Sequence, residues 1–71
     1  ATRDMMLDKA VDMALRAVEL APEDSNIRDT LAEALFRSGN TQEAIKQAET
    51  ALELDPGSAY FQEQLERFRS Q

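Results

Sequence analysis

No cysteine and no histidine occur in the 71 residues. Disulfides are therefore excluded, together with the usual zinc sites and every nucleophile arrangement built on Ser-His or Cys-His. Tryptophan is missing, and one Tyr and three Phe are the only aromatic residues. Glycine and proline are down to two each, so few turns interrupt the chain. Eight basic residues face fourteen acidic ones, for a formal charge of -6 and a pI near 4.4. That balance opposes non-specific binding to nucleic acid or to an anionic membrane. No uncharged apolar run exceeds a handful of residues, which leaves neither a membrane span nor a signal-peptide core. A cysteine-free chain fits any redox compartment; a soluble protein is expected, the cytoplasm being preferred. The first residue is Ala and not Met, which reads as a processed chain or an excised fragment.

What is present supports one small domain with a thin core. For 8.0 kDa, area scaling gives about 4,400 Å² of folded surface against about 11,600 Å² unfolded. Of the hydrophobic residues 11 are Ala, while Leu, Ile, Val and Phe together number 15. Stability must then rest on helix propensity, on close Ala packing or on a partner surface.

Pro22, Gly39-Asn40 and Pro56-Gly57 punctuate the chain, and everything between them has helical periodicity. The first segment, from about Arg3 to Leu20, places Leu7, Ala10, Val11, Ala14, Ala17 and Val18 at three- and four-residue steps, with Ala21 at its edge. The second, Asn26 to Ser38, carries Ile27, Leu31, Ala34 and Leu35 with Ala32 and Phe36 beside them. Asp24 or Ser25 can cap it. Gly39 supplies a left-handed terminator, and Asn40 with Glu43 three residues on has capping-box spacing. The third segment, Thr41 to Leu54, repeats Ala44, Ile45, Ala48, Ala51 and Leu52; the fourth, Ala59 to about Arg69, carries Phe61, Leu65 and Phe68 behind a Ser58 cap. Such short connections make successive helices antiparallel neighbours.

A repeat underlies the helices. Shifting residues 1–24 forward by 34 brings Ala10 onto Ala44, Ala14 onto Ala48, Ala17 onto Ala51, Glu19 onto Glu53, Leu20 onto Leu54 and Pro22 onto Pro56. Val11 also meets Ile45, Val18 meets Leu52, and Leu31 meets Leu65. Two unrelated helices would match in apolar phase without keeping the terminating Pro in register.

These residues carry a resemblance to the tetratricopeptide repeat family. Its motif is matched by Leu31, Ala32, Leu35 and Phe36, then Gly39-Asn40, Ala44-Ile45, and the run Ala51-Leu52-Glu53-Leu54-Asp55-Pro56. The resemblance implies an all-α fold of four helices in antiparallel pairs, stacked as a right-handed α-solenoid fragment. Within one domain over 1–71, the second helix of a partial repeat occupies 3–21, a complete repeat 25–58 and a C-terminal capping helix 59–70. Ala44 and Ala51 would let two helices approach closely, where larger side chains overpack.

Departures from the pattern mark the ends. Arg28 stands where the family often has a large aromatic, leaving the seam there solvated or covered by the Arg stem alone. Met5-Met6 replace the Gly39-Asn40 turn, so the first helix can run further upstream. Glu66 replaces Ala32, a polar substitution expected of a solenoid's outer cap.

The resemblance also implies a concave partner-binding surface built from first helices. By position it comprises Asn26, Asp29, Thr30, Glu33 and Arg37, followed by Tyr60, Glu63, Gln64 and Arg67. Some family members clamp a terminal carboxylate there with Lys, Asn and Arg; Asp29 and Glu33 oppose that chemistry, and a basic or mixed polar partner is electrostatically easier. Carboxylate pairs such as Asp8 with Asp12 or Asp29 with Glu33 lack any catalytic companion and read as solvated helix faces. No calcium-loop pattern appears, and no cofactor or metal is expected. Met5, Met6 and Met13 fit a flexible groove less well than core filler or a seam toward a missing helix. Tyr60 and Phe61 read as packing residues.

The functional expectation is a non-catalytic protein-protein interaction module at the C-terminal end of a longer repeat array. Its partners would be another protein or peptide and the upstream repeats of a parent chain, with neither nucleic acid nor membrane involved. The alternative is a solenoid cap without a groove, or a module that self-associates as a homo-oligomer through its first helix, if Leu7, Val11, Met13 and Val18 form a patch.

Overall fold

The computed structural model describes residues 2–70, with side chains from Asp8 onward. The four stripes become α1 (Thr2–Leu20), α2 (Ser25–Arg37), α3 (Thr41–Leu54) and α4 (Ala59–Arg69), and no strand occurs among the described residues. Each helix packs on the next, most extensively α2 on α3. The result is an all-α stack of antiparallel helices, a solenoid fragment measuring 38 × 30 × 15 Å. A slab this thin exposes 4904 Å², above the area expected for a compact chain of this mass, because its helices form no rounded interior.

Small residues set the packing. Ala32, Ala44 and Ala51 are completely buried, Ala48 nearly so, and Leu31 and Phe68 are the largest fully buried side chains. One cluster joins Ala14 of α1, Leu31, Ala32 and Leu35 of α2, Ala44 and Ala48 of α3, and Leu65 and Phe68 of α4. Val11, Val18, Phe36, Ile45 and Leu52 pack against it from the side. The first stripe is only partly realised: Ala10, expected at the seam, is exposed, and Leu7 lies outside the described side chains.

The turns show which capping signals act. Asp24 is the cap of α2, its Oδ1 accepting from the backbone of Asn26 at 3.0 Å and Ile27 at 3.2 Å, so the helix begins at Ser25, one residue before the expected start. Ser58 caps α4 by accepting from Phe61 N at 3.1 Å. Gly39 adopts φ +91°, while its N–H reaches Phe36 O and the Asn40 N–H reaches Leu35 O at 2.9 Å. Those two bonds satisfy carbonyls that the end of α2 would leave open, in a Schellman arrangement. The expected capping box at Asn40 and Glu43 does not form. Asn40 sits at φ -90°, ψ 64°, its side chain making no cap bond and donating to Ser38 Oγ instead. Glu43 pairs with Lys46.

Arg28 is neither solvated nor a bare stem. Half-buried, it donates from Nε to Pro22 O and from Nη1 to Gln47 Oε1, each at 3.1 Å, tying the α1–α2 turn to α3.

Candidate partner-binding face

Glu33 on α2 and Arg67 on α4 are 34 residues apart, one period of the sequence repeat, and the fold makes them neighbours. Arg67 Nη2 donates to Glu33 Oε2. Arg37, one turn after Glu33, donates to its other oxygen at 3.2 Å. Beneath this bridge the Phe36 and Phe68 rings stack with centroids 4.6 Å apart. The Arg67 guanidinium lies 5.3 Å from the first ring and 5.0 Å from the second, adding a cation-π contact to the ion pair.

A second polar group adjoins the bridge. Gln64 Nε2 donates to the Tyr60 hydroxyl at 3.2 Å, and Gln64 Oε1 accepts from Arg67 Nε at 2.9 Å. Asp29 borders them from α2. Burial raises its carboxyl above the ordinary range and nearby Glu33 reinforces this, whereas Tyr60, Gln64 and Arg67 favour the charged form. Asp29 Oδ1 itself is buried and without a hydrogen-bond partner.

Of the nine residues expected at this surface, Asp29, Glu33, Arg37, Tyr60, Gln64 and Arg67 thus meet in one patch across α2 and α4. Asn26, Thr30 and Glu63 are exposed on the same helices outside it; the Thr30 hydroxyl is turned back to Asn26 O at 3.0 Å. Tyr60 departs from its expected packing role. The residue is 57% exposed, and its ring meets buried Phe61 edge-on at 5.8 Å.

Against this geometry stands the comparison with known sequences: the profile of the tetratricopeptide repeat matches residues 26–58. Residues 26–58 form a tetratricopeptide repeat. No curated protein and no solved structure matches the chain. The tetratricopeptide repeat therefore comprises α2 and α3 with their Gly39-Asn40 turn, and its first helix supplies half of the polar patch. Such repeats typically bind proteins and are generally not enzymes.

Two features of the face escaped the sequence reading. The Phe36–Phe68 stack was hidden because Phe68 is shifted by 34 from Ala34, not from another aromatic. The Glu33–Arg67 pair did carry a signal, opposite charges at one repeat position. Elsewhere, a shallow groove between α3 and α4 is lined by Leu52, Pro56 and Leu65, with Arg69 joined to Glu49 at 2.8 Å across it. Among the described residues no cluster of His, Cys, Asp or Glu is placed to hold a metal, and no helix is long and apolar enough to cross a membrane.

Proposed function

We propose that the chain is a non-catalytic protein-interaction module whose partner surface is the α2–α4 face. The observation that carries this reading is the joining of α2 and α4 by Glu33 and Arg67 into one exposed polar patch with an aromatic floor. Interaction surfaces favour Tyr and Arg held in place by neighbours, because little side-chain entropy is then lost on binding. Tyr60 and Arg67 are held in this way. The module is read as the outer end of an array: exposed Glu66 in α4 stands where buried Ala32 stands in α2, a change that disfavours a further helix packed across it. In this reading α1 is the second helix of a preceding repeat and α4 the capping helix.

A peptide array probed with the 71-residue chain, and with the same chain carrying Asp29→Lys and Glu33→Lys, tests the surface. The double variant should keep its helical circular dichroism and lose or change its binding pattern. An unchanged pattern would remove the α2–α4 face from consideration.

One observation favours a second reading, self-association through α1. Met13 is 72% and Leu20 88% exposed, although Val11 and Val18 of the expected patch are packed against the core. Sedimentation over a concentration series should show dimers that Met13→Glu abolishes; a monomer throughout rules this reading out.

A further inference from the structure

We propose that the partner bound at the α2–α4 face places a lysine or arginine side chain against the carboxylate of Asp29. The proposal rests on that face being the partner surface and adds the chemistry of what it accepts. Glu33 has both oxygens occupied, one by Arg37 and one by Arg67. The same contacts commit the two guanidiniums of the face, so a partner carboxylate would have to displace an existing ion pair. Asp29 is the unmatched group. Its Oδ1 is closed off without a donor, and no ion pair reaches the carboxylate among the described residues.

Charge points the same way. Within the patch both guanidiniums, Arg37 and Arg67, are engaged by Glu33, which leaves the charge of Asp29 in excess. A partner cation meets this excess together with the exposed ring of Tyr60, onto whose face it can settle. Asp29 is half-buried with Oδ1 closed off, so a cation would meet its other oxygen, in surroundings desolvated enough to strengthen a charged contact. The raised carboxyl described above is what an arriving cation would reverse. An uncharged amide could donate to Asp29 but would leave the excess charge unanswered.

The test uses a synthetic peptide library split into sub-libraries with one central position fixed as Lys, Arg, Gln or Glu, presented to the 71-residue chain. The Lys and Arg pools should be retained about tenfold over the Glu pool, the scale of one charge-assisted hydrogen bond. Asp29→Asn should lower Lys and Arg retention by a similar factor and leave the Gln pool alone. Glu63→Gln removes an equal charge from the same helices without touching that carboxylate, and should change retention little. Circular dichroism verifies that both variants are helical. Binding that Asp29→Lys/Glu33→Lys abolishes, yet without preference for Lys or Arg, overturns this inference alone. Equal losses in Asp29→Asn and Glu63→Gln overturn it too, by reducing the effect to bulk charge. If no pool is retained, the partner surface itself falls.

Discussion

α1 and α3 are written in nearly the same residues and end up in different surroundings. Ala14 and its counterpart Ala48 are both buried, at 5% and 1% exposure. Ala44 and Ala51 are completely buried, whereas their counterparts Ala10 and Ala17 are exposed and half-buried. The difference identifies the faces. α1 packs on α2, so the Ala14 line is the one turned toward the helix that follows; in α3 the matching line belongs to the cluster containing Leu65 and Phe68 of α4. α3 packs most on α2, the first helix of its own repeat, and also on α4, whereas α1 packs on α2 and has no preceding helix among the described residues. A matching stripe is thus core or surface according to how many helices flank it.

The comparison breaks most visibly if the second flank of α3 is removed. Phe68→Ala should cost about 3–5 kcal/mol, the usual range for a fully buried Phe, and a domain this small has little stability to spare. Chemical denaturation would reveal it. A loss below about 1 kcal/mol would mean that α4 is not needed to cover α3. Next comes the small-residue line itself. Ala44→Leu should destabilise by about 1–3 kcal/mol through overpacking, while Ala10→Leu at the equivalent place in α1 should stay within about 0.5 kcal/mol. Equal melting shifts for the two would show that α1 and α3 do not differ in the way their burial indicates.

How far the sequence could be read follows the same division. The period of 34 and the positions of Gly39, Pro22 and Pro56 revealed the helices to within about one residue, because local backbone chemistry decides where a helix stops. Burial along α1 was not legible, since it depends on a neighbour and not on the residues of α1. At the candidate site the resemblance named nine residues by position, and six of them cluster across α2 and α4. Their pairing was not legible, because hydrogen-bond partners are chosen by side-chain reach: Arg67 Nε takes Gln64 while Nη2 takes Glu33, and Asn40 turns to Ser38 instead of the helix it precedes.

The turns offer a smaller contrast. α1 runs 19 residues through the Met5-Met6 positions, whereas α3, 14 residues long, begins just after Gly39-Asn40. Gly39→Ala should cost about 1–2 kcal/mol, purely for holding a side chain at positive φ, since nothing lies within 4 Å of the added carbon. Gly57→Ala meets equally open space without positive φ and should instead stabilise by about 0.4–1 kcal/mol through the unfolded chain. Thermal melts that move in the same direction would contradict the assignment of strain to Gly39 alone.

The smallest expected effect concerns the two carboxylates of the binding face, one matched and one not. Desolvation raises Asp29 in the folded chain above its unfolded value near 3.8, so the folded state binds the proton more tightly than the unfolded state. Ionising Asp29 therefore opposes folding: the penalty is absent below the unfolded value, grows as pH rises toward the folded one, and is complete above it. Asp29→Asn keeps the shape without the charge and should melt slightly higher than the parent at neutral pH, the gap closing as pH falls below about 4, the ordinary range of an aspartate. Glu33→Gln should behave in the opposite sense at neutral pH, because it gives up the contacts with Arg37 and Arg67 without relieving an unmatched charge. Melting curves of both variants across this pH range separate the two carboxylates. A neutral-pH melt lowered equally in both would place Asp29 among the stabilising ion pairs and leave it no unmet demand for a partner's cation.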